Sequence, residues 1–140
     1  MVLMDNEYAL ISYEKEAGFI SIVWKKYAPS AAYREVVTEL YEFRKALSVS
    51  NLLSDNRNLP TISEADGHWT VDKAKQYYEL IKHSRLALVV SESSFVRLAM
   101  ESMLNELKIG HKEYAGKSHT RYFSSWEAAR NWLAEDNSEQ

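Results

Sequence analysis

Apolar and polar positions along this chain follow two periods, and the period switches from two to about three and a half several times. Tyr8–Tyr13 and Phe19–Trp24 are β-rich runs separated by Glu14-Lys15-Glu16-Ala17-Gly18. Charged turn residues ending in glycine between two such runs predict a hairpin. In the second run Ile20, Ile22 and Trp24 share one face, and Phe19, Ser21 and Val23 share the other. Both faces are mostly apolar, which suits a strand inside a sheet. After Pro29, apolar residues recur at Tyr33, Val36, Val37, Leu40, Phe43 and Leu47, a helical spacing with Ser30 as its N-cap.

Asn51–Asp55 reads as a strand, and Ser63 then opens a second helix carrying Trp69, Ala74, Tyr77, Tyr78 and Ile81. Asp66, three positions after Ser63, makes a weak capping box, while Gly67 weakens the first turn. Leu86–Val90 is the most hydrophobic strand and is expected at the sheet centre. Ser93 or Ser94 caps a third helix whose inward face is Val96, Ala99, Met100, Met103, Leu104 and Leu107, with Gly110 as its C′ residue. Arg121–Phe123, with a start as early as His119, is the last strand. Ser124 or Ser125 caps a final helix with Trp126, Ala129 and Leu133 inward, and the polar tail Glu135–Gln140 is expected to fray.

The predicted order is β-β-α-β-α-β-α-β-α. This is an α/β domain: an N-terminal hairpin, then four right-handed βα units in a mixed five-stranded sheet whose first strand alone runs antiparallel. At 140 residues, 46% hydrophobic and 26% charged, the chain reads as one globular domain over residues 1–140. Four glycines and two prolines leave no room for a flexible linker.

Charge and composition exclude several functions. Net charge is −3 and the basic residues are scattered, which argues against a nucleic-acid footprint and a polybasic membrane surface. The absence of cysteine removes disulfides, thiolate metal sites and cysteine nucleophiles. No apolar stretch approaches the roughly 20 residues that cross a bilayer, so membrane insertion is not expected. Met1–Glu7 lacks a basic segment followed by an apolar run, so a cytoplasmic location is the expectation.

The opening hairpin, Leu53-Ser54-Asp55-Asn56-Arg57 at a strand end and Ile62-Ser63-Glu64-Ala65-Asp66 at a helix start carry a family resemblance. The closing run from Arg121 through Ser125 and Trp126 to Leu133 adds to it. Together they resemble the SpoIIAA-like superfamily, which covers STAS domains and the uncharacterised bacterial proteins labelled STAS/SEC14 domain-containing. The resemblance implies a β-α superhelix with strands laid down in sequence order. STAS domains are phosphorylation-controlled partners in sigma-factor signalling or cytoplasmic domains of anion transporters. Their acceptor serine lies in an Asp-Ser-Ser-Gly-type motif at a helix N-terminus. Here the equivalent stretch is Ile62-Ser63-Glu64-Ala65-Asp66-Gly67, with acids in the acceptor region, so the motif is missing. The SEC14 relationship implies a cavity for an apolar ligand.

Parallel strands place their sites at their carboxyl ends, which directs attention to Asp55, Asn56 and Arg57. Arg57 is suited to hold an anion and Asp55 to accept a hydrogen bond, although Asp55 capping its loop, with Arg57 paired to it or to Glu64, is the simpler account of both residues. Ser91-Glu92-Ser93-Ser94 falls beside Asp55 in a sheet of sequential order. A helix N-terminus there would suit a phosphate, but Glu92 opposes one and simple capping accounts for Ser93 and Ser94. Trp24 and Tyr27 are candidate walls, and Glu64 joins the candidate ligand or partner site. Tyr41 and Trp132 fall partly off the inward stripes. If all helices lie on one sheet face, the other needs cover, which suggests a homodimer or protein partner. His68, His83, His111 and His119 show no metal spacing, and no catalytic serine elbow or nucleotide motif is present, so neither metal nor cofactor is expected.

Three functional readings follow. The first is a non-catalytic interaction module with its site at Asp55, Asn56, Arg57, Glu64, Ser93 and Ser94. The alternative is a carrier of a lipid-like or other small apolar ligand between helices and sheet. The third is a hydrolase using a carboxylate cluster of Asp55, Glu64, Asp66 and Glu92.

Overall fold

Gly18 closes the predicted hairpin. Its φ of 73° is left-handed, a conformation open to a residue without Cβ, and its N–H donates to the Glu14 carbonyl at 2.8 Å. The hairpin joins β2 (Ala9–Glu14) to β3 (Phe19–Trp24), with Ala9 opposite Trp24 and Glu14 opposite Phe19. The computed structural model describes residues 1–91, 94–110 and 119–135. The Glu92, Ser93 and His111 assignments, and the tail beyond Glu135, lie outside the described residues.

The chain continues through α1 (Ser30–Leu47), β4 (Asn51–Asp55), α2 (Glu64–Gln76), α3 (Tyr78–Ile81), β5 (Arg85–Val89), α4 (Phe95–Gly110), β6 (His119–Phe123) and α5 (Trp126–Ala134). The sheet has six strands rather than five, because Val2–Asp5 forms β1, antiparallel to β2 at the edge. The strands lie side by side in chain order, β1-β2-β3-β4-β5-β6, and the pairs from β3 onward are parallel. As the spacing predicts, β3 is interior. By contrast β5 sits one strand from the edge. Its hydrophobicity reflects cover on both of its faces rather than a central position.

Several boundaries differ from the sequence reading. Pro29, not Ser30, is the N-cap of α1, and Ser30 instead turns its hydroxyl to Asp66. The second helix breaks at Tyr77, whose φ of −110° and ψ of 25° leave the helical well and divide α2 from α3. Gly110 is the last residue of α4 rather than the first beyond it. The caps at Ser63 and Ser125 are as expected, each accepting from the N–H three residues on.

Alternation along the strands builds two cores. On one face Ile11, Ile20, Ile22 and Leu52 pack against Val36, Val37 and Leu40 of α1 and Val71 of α2. On the other, Phe19, Leu53, Ala87 and Val89 pack against Ala129, Trp132 and Leu133 of α5. The expectation that all helices share one face is therefore corrected. Cover over β4 and β5 on the second face comes from the chain's own last helix, which removes the ground given for a second copy there. Trp132, placed partly off the inward stripe, is 6% exposed, and Tyr41 is buried too. Burying each large apolar side chain contributes about 1.5–3 kcal/mol.

Candidate functional site

β4 and β5 are parallel neighbours, so the loops that follow them emerge at the same edge of the sheet. Asn56 ties them together, its N–H donating to the Val89 carbonyl at 2.9 Å. Asp55 turns toward the α5 face with Leu53 and is 5% exposed. Both of its carboxylate oxygens are engaged: Arg57 Nε donates to Oδ1 at 3.0 Å and Nη2 to Oδ2 at 2.7 Å. The Arg57 backbone N–H adds a third bond to Oδ1 at 3.2 Å. The hydrogen bond to Asp55 raises the Arg57 pKa, so the guanidinium stays charged. This fork closes the loop on itself rather than presenting an anion site.

The remaining strand-end residues disperse. Ser94 Oγ accepts from the Arg97 N–H at 3.3 Å, as an N-cap does. Glu64 is 92% exposed and lies 3.6 Å from His68, away from Arg57. Tyr27 is 52% exposed, so it walls nothing. Trp24 does form a wall, on the helix-covered side of the sheet: it is 3% exposed, stacks on Tyr33 at 5.4 Å between ring centres, and with Tyr33 lines the cavity described below. Asp66 belongs to a separate group, accepting from Ser30 Oγ at 2.6 Å and Arg34 Nε at 2.8 Å. Burial opposes its ionisation, but hydrogen bonds from Ser30, Arg34 and Ser63 outweigh burial and hold its carboxyl below the ordinary value. The acids Asp55, Glu64 and Asp66 thus each have their own partner, and among the described residues no three acids or histidines group as a metal would require.

What the structure does present is a cavity of about 130 Å³ between the sheet and the helices on its first face. Ile22, Leu52 and Leu88 floor it, Val37 and Ala74 wall it, and Met100 and Met103 of α4 roof it. α4 docks chiefly on α2. Gly67 of α2 faces Met103 of α4: a Cβ there would stand 3.5 Å from Met103 Cγ, an ordinary van der Waals contact. A second clip joins the same helices, His68 Nδ1 lying 2.9 Å from Glu106 Oε2. The Glu106 hydrogen bond first, and its charge next, raise the His68 pKa.

Polar groups at the cavity are few and mostly tied. Thr70 Oγ1 donates to the Asp66 carbonyl at 2.7 Å, so at 2.9 Å it accepts the Tyr33 hydroxyl. Burial pushes the Tyr33 phenol far above its usual range, leaving it neutral. Ser54, on the floor, donates to Asn56 Oδ1 at 2.8 Å. Arg44, buried at the end of α1, donates to the Ser50 carbonyl.

Sequence reasoning centred the site on the strand ends; of its two candidate walls Trp24 lines the cavity and Tyr27 does not, and the rest of the lining was not named. Periodicity marks Val37, Ala74, Met100 and Met103 as inward but is silent on whether inward positions meet. The two methionines on one stripe of α4 were the available signal, since flexible thioethers line adaptable apolar spaces. No protein family, curated protein or solved structure compared with this chain matches it.

Proposed function

We propose that this chain binds a small, mostly apolar molecule between its sheet and the α1–α4 layer, as a carrier or ligand-responsive module rather than an enzyme. The cavity carries this reading. Interiors are normally packed without voids much larger than a water molecule, and a space of roughly 150 Å³ lined by apolar side chains is enough to take up benzene. A cavity of about 130 Å³ with a methionine roof is of that order. Of the readings open at the sequence level, this favours the ligand carrier over the strand-end interaction module, because Asp55 and Arg57 satisfy each other. The hydrolase reading loses support for the same reason, its acids being spread over separate pairs. Strands laid side by side in chain order support a SpoIIAA-like assignment of the fold, and the cavity suits its SEC14-like side.

The test is ligand-dependent melting with toluene, together with Met100 and Met103 methyl shifts by NMR. At ten times its Kd a ligand adds about 1.4 kcal/mol, roughly 5 °C for a chain of this size. The wild type is expected to shift and the Ala74→Leu variant, which fills the space, to stay put. A wild type whose methyl resonances ignore toluene up to its solubility limit would overturn the reading.

A further inference from the structure

Two joints between helices bound the cavity, and they are fastened differently. α1 and α2 are held through buried groups: Asp66 accepts from Ser30 and Arg34, and the Tyr33 hydroxyl meets Thr70 at 2.9 Å. α4, whose Met100, Met103, Leu104 and Leu107 line the cavity, docks chiefly on α2. Across that second joint, among the described residues, the polar link is His68–Glu106, with side chains 57% and 37% exposed. The link sits beside the lining: His68 is about one turn before Val71, and Glu106 about one turn after Met103.

His68 lies between two carboxylates and meets each with a different ring nitrogen. Nδ1 is 2.9 Å from Glu106 Oε2, and Nε2 is 3.6 Å from Glu64 Oε1. The imidazolium carries a proton on both nitrogens, whereas neutral imidazole has one N–H for the two acids. Among the described residues, Glu106 from α4 and Glu64 from its own helix are the charged groups that face this ring. Both favour its protonated form, the Glu106 hydrogen bond most.

Resting on the cavity reading above, we infer that α4 is the gate of the cavity, and that proton loss from the His68–Glu106 link lets ligand pass faster between α2 and α4. The sign follows from the geometry. The protonated ring joins the two helices at the rim of the roof, and deprotonation takes the positive charge from between two acids. Neither His68 nor Glu106 lines the cavity, so the link acts on passage and not on the fit of the occupant. It closes the roof equally over an empty and a filled cavity. Entry and exit therefore quicken together, and the dissociation constant stays the same.

Toluene exchange, read from the Met103 methyl by NMR exchange spectroscopy, is compared at about pH 6 and about pH 8.5, either side of the ordinary imidazole value. Exposed ion pairs are weak, so the wild type is expected to exchange toluene about two- to fivefold faster at the higher pH, with Kd unchanged. His68→Gln and Glu106→Gln each remove one side of the link and are expected to flatten that profile. A wild type that binds toluene but exchanges it at one rate at both pH values would overturn this inference and leave the cavity reading intact. So would a pH dependence that survives in both variants. Toluene bound at neither pH would overturn both.

Discussion

Asp66 shows how a single buried acceptor can hold two helices in place. Its side chain is 7% exposed and joins the start of α2 to Ser30 and Arg34 of α1, with Arg34 also stacked 5.3 Å from the Trp69 ring. Asp66→Ala removes the acceptor of both bonds, leaving the Ser30 hydroxyl without its partner. Arg34 is 39% exposed and can return to water. A loss of about 2 kcal/mol in urea denaturation is expected, since buried charged hydrogen bonds are worth more than neutral ones. Its pH dependence has a definite sign. The Asp66 carboxyl is held below its ordinary value when folded, so its contribution is full above that ordinary value and fades as pH falls through the lowered one. The gap between wild type and variant should therefore shrink toward acid. The Ser63–Asp66 cap was legible because its partners are three residues apart, and the Asp55–Arg57 fork because they are two apart. The Asp66–Arg34 pair spans 32 residues and no local pattern announces it.

The α2–α4 pair sets the shape of the cavity, and one of its clips is titratable. His68 faces Glu106 of α4 and Glu64 of its own helix. Hydrogen bonding to Glu106 raises its pKa, so folding binds the proton. The clip is therefore complete below the ordinary imidazole value of about 6.5 and is lost as pH rises through the raised one. Amide exchange in α4, corrected for intrinsic rates, should show opening becoming easier between pH 6 and pH 8.5. In His68→Gln that trend should flatten; a wild type with pH-independent protection of α4 would contradict the assignment. At this scale the hairpin and the regular βα alternation were readable because each element repeats its period over several turns or pleats. β1 was not: its four residues show no alternation, with Val2 and Asp5 exposed and Leu3 and Met4 half-buried. Nor was the break between α2 and α3, which falls at Tyr77-Tyr78 without a glycine or proline to mark it.

Across the whole molecule, the sheet separates two cores that the chain assembles by different rules. α1, α2–α3 and α4 each connect parallel neighbours, and each connection steps the same way along the sheet. Crossovers of one hand stepping in one direction lie on one face. Among the described residues α5 follows β6 and is not a crossover between two strands of the sheet, so no crossover rule assigns its side, and an amphipathic stripe alone does not tell one face from the other. Its placement rests on packing: Trp132 meets Phe123 at 5.7 Å between ring centres, with Arg85 and Arg121 at 5.0 and 5.2 Å from its ring. Arg85 also donates to the Trp132 carbonyl at 2.6 Å. Trp132→Ala should therefore cost about 3–5 kcal/mol and expose Phe19, Leu53 and Val89, visible as new binding of a hydrophobic dye and as self-association in sedimentation. Ala74→Leu alters the opposite core, across the sheet from Trp132. Sites that share no partners add to within about 0.5 kcal/mol, so the double variant's urea midpoint should match the sum of the single changes. A larger deviation would mean that the sheet transmits strain between its faces, and occupancy of the cavity would then be felt at α5.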